Sequence, residues 1–277
     1  MKVGFVTIVG RPNVGKSTLL NKILEYKVSI TSDKPQTTRD QIKGIYNDED
    51  SQIIFIDTPG IHKPKQKLGE SLNESSYKSL KGVELVLFLQ PIDDEIGPGD
   101  KFVIDKIQKN KRVAVITKID KSNQDEVEFR ATELKTYGFE EVIATSVDID
   151  ESIDNLIEFL KEHLVEGEPF YERDDITDKS MRFIAKEIIR ESAINMTRDE
   201  IPHSIGVEIE EFKEAETEED QIKIMATIHV ERDSQKGILI GHKGSMIKKI
   251  GSSARRKLKY NFNHRVHLEL RIKVNKN

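Results

Sequence analysis

The 277-residue chain is expected to fold as an α/β body over residues 1–165, a doubly wound and largely parallel sheet, followed by a smaller α+β domain over residues 179–277. Residues 166–178 are expected to link them. Three observations predict this. Apolar runs of strand length alternate with amphipathic helical runs through the first half, the pattern of a parallel sheet with crossover helices. The first of those runs ends in a glycine-rich turn. The last hundred or so residues change to strands with strict apolar/polar alternation around a strongly basic helix.

Composition narrows the setting. Lys and Arg number 44 against 49 Asp and Glu, so the chain carries −5. From Ser234 onward, however, 12 basic residues face the single acid Glu269, a local +11 that leaves −16 on the first 233 residues. Such asymmetry predicts one region built for an anionic partner. The absence of cysteine excludes disulfides and thiolate metal sites and fits a reducing, cytoplasmic setting. No apolar run approaches the roughly 20 residues of a membrane span, and charged residues make up 34%, so a soluble protein is expected. Peripheral contact with the cytoplasmic face of a membrane stays open, and a monomer is expected.

The opening MKVGFVTIVG reads as a buried strand rather than a leader, since Arg11 and Pro12 end it and no small-residue cleavage site follows. It runs into GRPNVGKST, Gly10 to Thr18, which satisfies G-x-x-x-x-G-K-[ST] and is followed by the helical STLLNKILEY. Backbone N–H groups from Asn13 through Val14 and Gly15 to Lys16 can wrap a phosphate, with Gly10, Ser17 and Thr18 completing the cradle. Lys16 neutralises β/γ charge, and Ser17 offers a hydroxyl to Mg²⁺.

Next, IIFIDTPG delivers Asp57 at the C-terminal end of an apolar strand, where open α/β sheets place ligands. Asp57 is expected to hold Mg²⁺ through water. The following Thr58, Pro59 and Gly60 form a nucleotide-sensing turn, Gly60 giving its N–H to a γ-phosphate. Between the two motifs, SDKPQTTRD suits a mobile switch; Thr38, or its neighbour Thr37, would complete the metal shell.

VELVLFL and RVAVIT are two further buried strands, and the second ends in TKID, Thr117 to Asp120. A carboxylate at Asp120 can accept from guanine N1–H and the 2-amino group, donors that adenine lacks; an orphaned carboxylate makes the wrong base costly. Lys118 can lie along the base and brace the phosphate loop. After a helix near Gln124 to Tyr137, the strand EVIATSV brings Ser146 and Val147 to present a hydroxyl and a backbone N–H to guanine O6.

VEGEPFYERDDITD has little periodicity and reads as the linker. A helix starting near Asp178 buries Met181, Ile184, Ala185 and Ile188, and two alternating strands follow, Ile205 to Ile209 and Ile222 to Val230. The loop Gly241-His242-Lys243-Gly244 then opens a helix with Ile247, Ile250, Ala254 and Leu258 on one side and Lys248, Lys249, Arg255, Arg256 and Lys259 on the other. A last strand alternates from Val266 to Val274. Glycines in such a loop let a sugar–phosphate backbone approach the main chain, and this element order with GxxG between two helices is that of a type II KH domain, which clamps about four nucleotides of single-stranded RNA. Gly241, His242, Lys243, Gly244, Lys248, Lys249, Arg255 and Arg256 are the candidate RNA contacts.

With these motifs in place the chain resembles translation-factor-class P-loop GTPases, and more closely the Era family of bacterial ribosome-assembly GTPases among the TrmE-Era-EngA-like group. GRPNVGKST, QTTRD, IDTPGIHKPK, DDITDKSMRFIAKEIIRE, IPHSIGVEIE and VERDSQKGILIGHKG carry the resemblance across most of the chain. It implies slow GTP hydrolysis to GDP and phosphate with Mg²⁺, and binding to the 3′ end of 16S rRNA during maturation of the 30S subunit. Two departures are Thr117, where the family usually has Asn, and Val147, where it usually has Ala; Rho-type GTPases also use TKxD, so guanine preference is expected to survive. Ile61 stands where Ras-like enzymes place a water-orienting glutamine, so other groups must position the water. By resemblance to other hydrophobic-substituted GTPases, Asn13 is a candidate for binding K⁺ beside the phosphates; a loop-stabilising role for it stays open. Lys16, Thr38, Gly60 and Asn13 are thus the catalytic candidates, and Arg39 and His62 are assigned no role. Two rivals remain at this point: an RNA chaperone with a vestigial nucleotide site, and a P-loop kinase preferring ATP.

Overall fold

The computed structural model describes residues 1–32, 41–58, 76, 78–197, 204–217 and 219–275. The candidates Thr37, Thr38, Arg39, Pro59, Gly60, Ile61 and His62 lie outside the described residues. The chain forms two compact units, Met1–Ser29 with Thr38–Asp178, and Ile30–Thr37 with Lys179–Asn277.

The first unit is built on a sheet in the order β2-β3-β1-β4-β5-β6. β1 (Lys2–Val9), β3 (Ser51–Asp57), β4 (Leu85–Pro91), β5 (Arg112–Thr117) and β6 (Val142–Ala144) run parallel, whereas β2 (Ile42–Asn47) is antiparallel to β3. β3 and β4 are buried along their whole length, which explains why they read as continuous apolar runs instead of alternating ones. The helices are α1 (Lys16–Ile23), α2 (Pro98–Lys106), α3 (Gln124–Thr136) and α4 (Asp150–Lys161). α3 begins with a reciprocal capping box, Asn123 accepting from Glu126 N–H and Glu126 from Asn123 N–H. Between sheet and helices, Phe88 stacks on Phe139 with centroids 5.4 Å apart, in a core shared with Val103, Ile104, Ile116 and Leu134. Full burial of each such side chain contributes about 1.5–3 kcal/mol. Because β4 joins β1 only from Val6 onward, the start of β1 is free to pair with β7 (Val165–Glu166), which does so antiparallel.

The segment 166–178, expected as a linker, is bound to the first unit rather than loose. Ile45 donates its N–H to Ile176 O at 2.8 Å, Thr177 Oγ1 donates to Lys43 O at 2.7 Å, and Asn47 Nδ2 donates to Asp175 O at 3.1 Å. Its main anchor is Gln52, fully buried on β3. Gln52 Oε1 accepts from Phe170 N–H and Tyr171 N–H at 2.7 and 3.0 Å, while Nε2 donates to Tyr171 O at 2.9 Å and Asn47 Oδ1 at 2.8 Å. One side chain thus replaces the ladder partners that an irregular segment cannot find in itself.

In the second unit, α5 (Met181–Asn195) is capped by Ser180, whose side chain accepts from Phe183 N–H at 3.3 Å. β8 (Gly206–Lys213), β9 (Gln221–Val230) and β10 (Arg265–Val274) form a sheet with β9 central. β9 and β10 pair in parallel over ten residues, and such pairing needs a crossover. That crossover consists of α6 (Asp233–Ile240), a loop, and α7 (Ser245–Phe262). Ile184, Ile188, Ile224, Ile228, Ile250 and Leu258 are among its buried core residues, as the helical and strand periodicities require.

Gln52→Ala is expected to leave the Phe170 and Tyr171 backbone groups without these partners, destabilising the first unit by about 2–3 kcal/mol. Denaturant unfolding measures the loss, and limited proteolysis should then cut between residues 167 and 178.

Candidate nucleotide site and nucleic-acid interface

The turn from β1 into α1 cannot be made by ordinary backbone. Asn13 has φ 67° and Gly15, the N-cap of α1, has φ 99°, both in the left-handed region that glycine enters freely and asparagine tolerates. The N–H groups of Val14, Gly15 and Lys16 engage in no hydrogen bond among the described residues, so they stand as donors at a helix N-terminus. Lys16 is buried; its Nζ donates to Arg11 O at 2.8 Å and Gly10 O at 3.3 Å. Burial drives its ammonium down to about 8, partly opposed by Asp57.

Asp57 is wholly buried at the end of β3, and burial raises its carboxyl above the usual carboxylate range despite Lys16, Ser29 and Ser17. Its Oδ2 accepts from Ser17 Oγ and Ser29 Oγ, each at 2.7 Å. Its Oδ1 is buried with no partner among the described residues. An acceptor orphaned in this way costs about 1–3 kcal/mol, and beside a serine hydroxyl it forms the hard oxygen set that Mg²⁺ takes. The residues present therefore fit the metal. Ser29 was not foreseen: it is delivered by Asn21 of α1, whose Oδ1 accepts from Val28 and Ser29 N–H at 3.0 Å each and whose Nδ2 donates to Ser29 O at 2.7 Å. Thr58, a predicted nucleotide contact, instead donates its hydroxyl to Ile8 O at 3.1 Å, anchoring the turn to β1.

A cleft adjoins the phosphate loop. It brings together the predicted Val14, Gly15, Thr18, Thr117, Lys118, Asp120, Ser146 and Val147, and adds Leu19, Lys121, Thr145 and Asp148. Among these residues, Ser146 Oγ donates a hydrogen bond to Asp120 Oδ1. Ser146 thus orients the carboxylate of Asp120. Val147 N–H engages in no described bond. The loop that carries both is pinned by Ser152 of α4, whose Oγ accepts from Ser146 N–H at 2.9 Å and donates to Ile149 O at 2.7 Å. A serine in the first turn of a helix signals a cap, but nothing in the sequence ties it to Ser146. Thr117 Oγ1 is buried without a partner among the described residues. Lys118 has a left-handed backbone, φ 61°, a strained conformation of the kind found at ligand sites. Its ammonium does not brace the phosphate loop: it bonds Asp93 at 3.1 and 3.2 Å, and Lys121 joins at 3.6 Å. Asp93 sits in the loop after β4, where no sequence signal pointed.

Arg11 ties that same loop to the phosphate loop. Its Nε donates to the buried Asp100 at 2.7 Å and its Nη2 to Asp94 at 2.9 Å.

In the second unit, α6 ends at Gly241 with φ 72°, followed by a turn of 3₁₀ helix, His242–Gly244, in which Lys243 and Gly244 have φ 50° and 77°. A Cβ at position 241 would stand 2.8 Å from the backbone N of Met246, so only glycine fits. His242 and Lys243 are exposed in front of the N-terminus of α7, where dipole and side-chain charge favour an anion. Lys248, Lys249, Arg255 and Arg256 are exposed on α7. Lys257 differs: it lies at 3.1 Å from the buried Glu191 of α5.

Residues 5–121 match the family described as 50S ribosome-binding GTPase, and residues 200–277 match the KH domain family. The chain is 54% identical over 276 residues to GTPase Era of Mycoplasmopsis agalactiae, covering 99% of this chain and 94% of that protein, and 55% identical over 280 residues to GTPase Era of Mycoplasmopsis pulmonis, covering 100% and 96%. Among solved structures, an Aquifex aeolicus Era variant bound to GDP·AlF₄⁻ superposes with a TM-score of 0.91 at 39% identity, covering 100% of this chain and 95% of that one. An Era in complex with MgGDPNP and nucleotides 1506–1542 of 16S ribosomal RNA gives 0.90 at 39% identity with the same coverage. Identity at this level over nearly the whole of both chains, through the nucleotide site and the GxxG domain alike, makes this chain a member of the GTPase Era family.

Proposed function

We propose that the chain is a guanine-nucleotide switch that hydrolyses GTP to GDP and phosphate and grips single-stranded RNA at the 3′ end of 16S rRNA, acting in maturation of the 30S subunit. The observation that carries it is Asp120, its carboxylate set by Ser146 in a cleft shared with Val14, Gly15 and Thr18 of the phosphate loop. A kinase would have no use for that carboxylate. The solved Era complex with a GTP analogue and 16S rRNA nucleotides supports the RNA reading by kinship, and the exposed loop 241–244 supports it by geometry.

Each residue then has a task. Val14, Gly15 and Lys16 give backbone N–H groups to the phosphates, and Lys16 adds charge within a water-poor loop. Ser17 and Asp57 hold Mg²⁺, with Thr38 the proposed third contact. That ion supplies charge neutralisation across the β- and γ-phosphates. Asp120 reads the guanine N1–H and 2-amino group, Val147 N–H faces O6, and Ser152 keeps the Ser146–Val147 turn in place. Gly60 senses the γ-phosphate. No glutamine is available at Ile61 to orient water, so turnover is slow and Asn13 is assigned the binding of K⁺.

A binding panel tests this reading. GTP and GDP should bind about 10³-fold or more tighter than ATP, and a ribosomal 3′-end oligonucleotide should bind to the same molecule; equal affinity for ATP overturns the guanine assignment. Hydrolysis should run faster in K⁺ than in Na⁺ at equal ionic strength, and Asn13→Ala should erase the difference. Lys16 yields a third expectation. Phosphate raises its affinity for a proton above the value of about 8 in the free protein, so binding near pH 8 takes up about half a proton and weakens as pH climbs further. Calorimetry in two buffers of different ionisation enthalpy measures the uptake, which should vanish in Lys16→Met.

A further inference from the structure

The outward face of α7 carries two parallel stripes. Lys248, Arg255 and Lys259 stand seven and eleven residues apart, and so do Lys249, Arg256 and Tyr260. Eleven residues are about three helical turns, so each triplet lies nearly along a line. All six side chains are exposed, Tyr260 at 86%. None of the five cations has an ion pair among the described residues, and α7 contains no acid. This is unlike the cations of the first unit, where Arg11, Lys22, Lys118 and Lys161 each find a carboxylate. Arg255 and Arg256 precede Lys259 by four and three residues, spacings at which like charges repel by about 0.2–0.5 kcal/mol. A solvated face gains nothing from that arrangement, whereas polyanion binding relieves it and releases counterions.

Tyr260 ends the second stripe. Its ring is the most exposed of the large hydrophobic side chains, with no aromatic or cation–π partner among the described residues. Arg256 lies one turn before it. An unpaired base held against a phenol ring with a guanidinium beside it is a standard mode of single-strand recognition. From Gly244, the N-cap of α7, Tyr260 is sixteen residues along, about 24 Å of helix. Four nucleotides held at the GxxG loop would have to run fully extended along α7 to reach that far.

We propose that the RNA path continues past the GxxG loop along α7, with the two cationic stripes following the phosphates and Tyr260 stacking a base at the far end. The proposal rests on the RNA reading above and extends it to a stacking contact outside the GxxG loop. Charge favours RNA as the occupant, since the surface is a run of point cations with one planar ring and not the broad apolar face that a membrane-surface helix buries.

The test uses the full chain with a tetranucleotide, a strand of about 12 nucleotides containing it, and vesicles of mixed neutral and anionic lipid. Tyr260→Ala should weaken binding of the longer strand about 5- to 50-fold, as loss of one base stack does, and leave the tetranucleotide within twofold. Tyr260→Phe should restore it, because stacking needs the ring and not the hydroxyl. Unchanged binding of the longer strand by Tyr260→Ala overturns the proposal, as does an equal loss on the tetranucleotide. So does a loss seen only on vesicles, which would make the face a lipid contact. Failure of the RNA reading looks different: the unmodified chain would then bind neither strand, and Gly244→Asp would change nothing.

Discussion

Burial of opposite charges that lack their full set of partners governs the first unit. Lys16 and Asp57 are both buried and feel each other's charge, the ammonium lowered to about 8 by burial and the carboxylate left with an oxygen that has no partner among the described residues. A packed core tolerates such groups only when something external completes them. The rest of the unit can be understood as scaffolding for that imbalance. β1 and β3, buried and parallel, bring the lysine and the carboxylate to the same edge of the sheet, and Asn21 turns the chain after α1 so that Ser29 shares the carboxylate with Ser17.

The second unit solves a related problem with backbone instead of buried charge. Its loop is short, left-handed and tight against Met246, which leaves main-chain groups and a helix terminus facing outward. Cations are then sorted by burial. Lys257 is committed to Glu191 inside the unit, while the nearby Arg256 and Lys259 are exposed with no ion pair among the described residues. A charge count treats them alike; packing does not.

Much of this was legible in the sequence because local spacing encodes it. GRPNVGKST, TKID and GHKG each announce a backbone shape or a donor set within a few residues, and the strands that deliver them are either wholly apolar or strictly alternating. What escaped depends on chain segments far apart. β2 is short, mixed in composition and stabilised by its partner β3. Helix α4 follows the Ser146–Val147 loop closely, and no local pattern marks Ser152 or its hold on Ser146. Asp93 binds Lys118 across 25 positions, and no pattern in one stretch reveals a partner in another. The acidic, aperiodic run before Asp178 had the composition of a tether, yet its hydrogen bonds come from Gln52 more than a hundred residues earlier.

That last contact bears on how the molecule may be dissected. Cutting the chain after Glu166, where the regular elements of the first unit end, would discard the Phe170 and Tyr171 groups that satisfy Gln52 and leave a fully buried amide without them on β3. A fragment carried on to Asp178 keeps its own selvage. The natural seam of this protein is therefore twelve residues downstream of the one its last strand suggests.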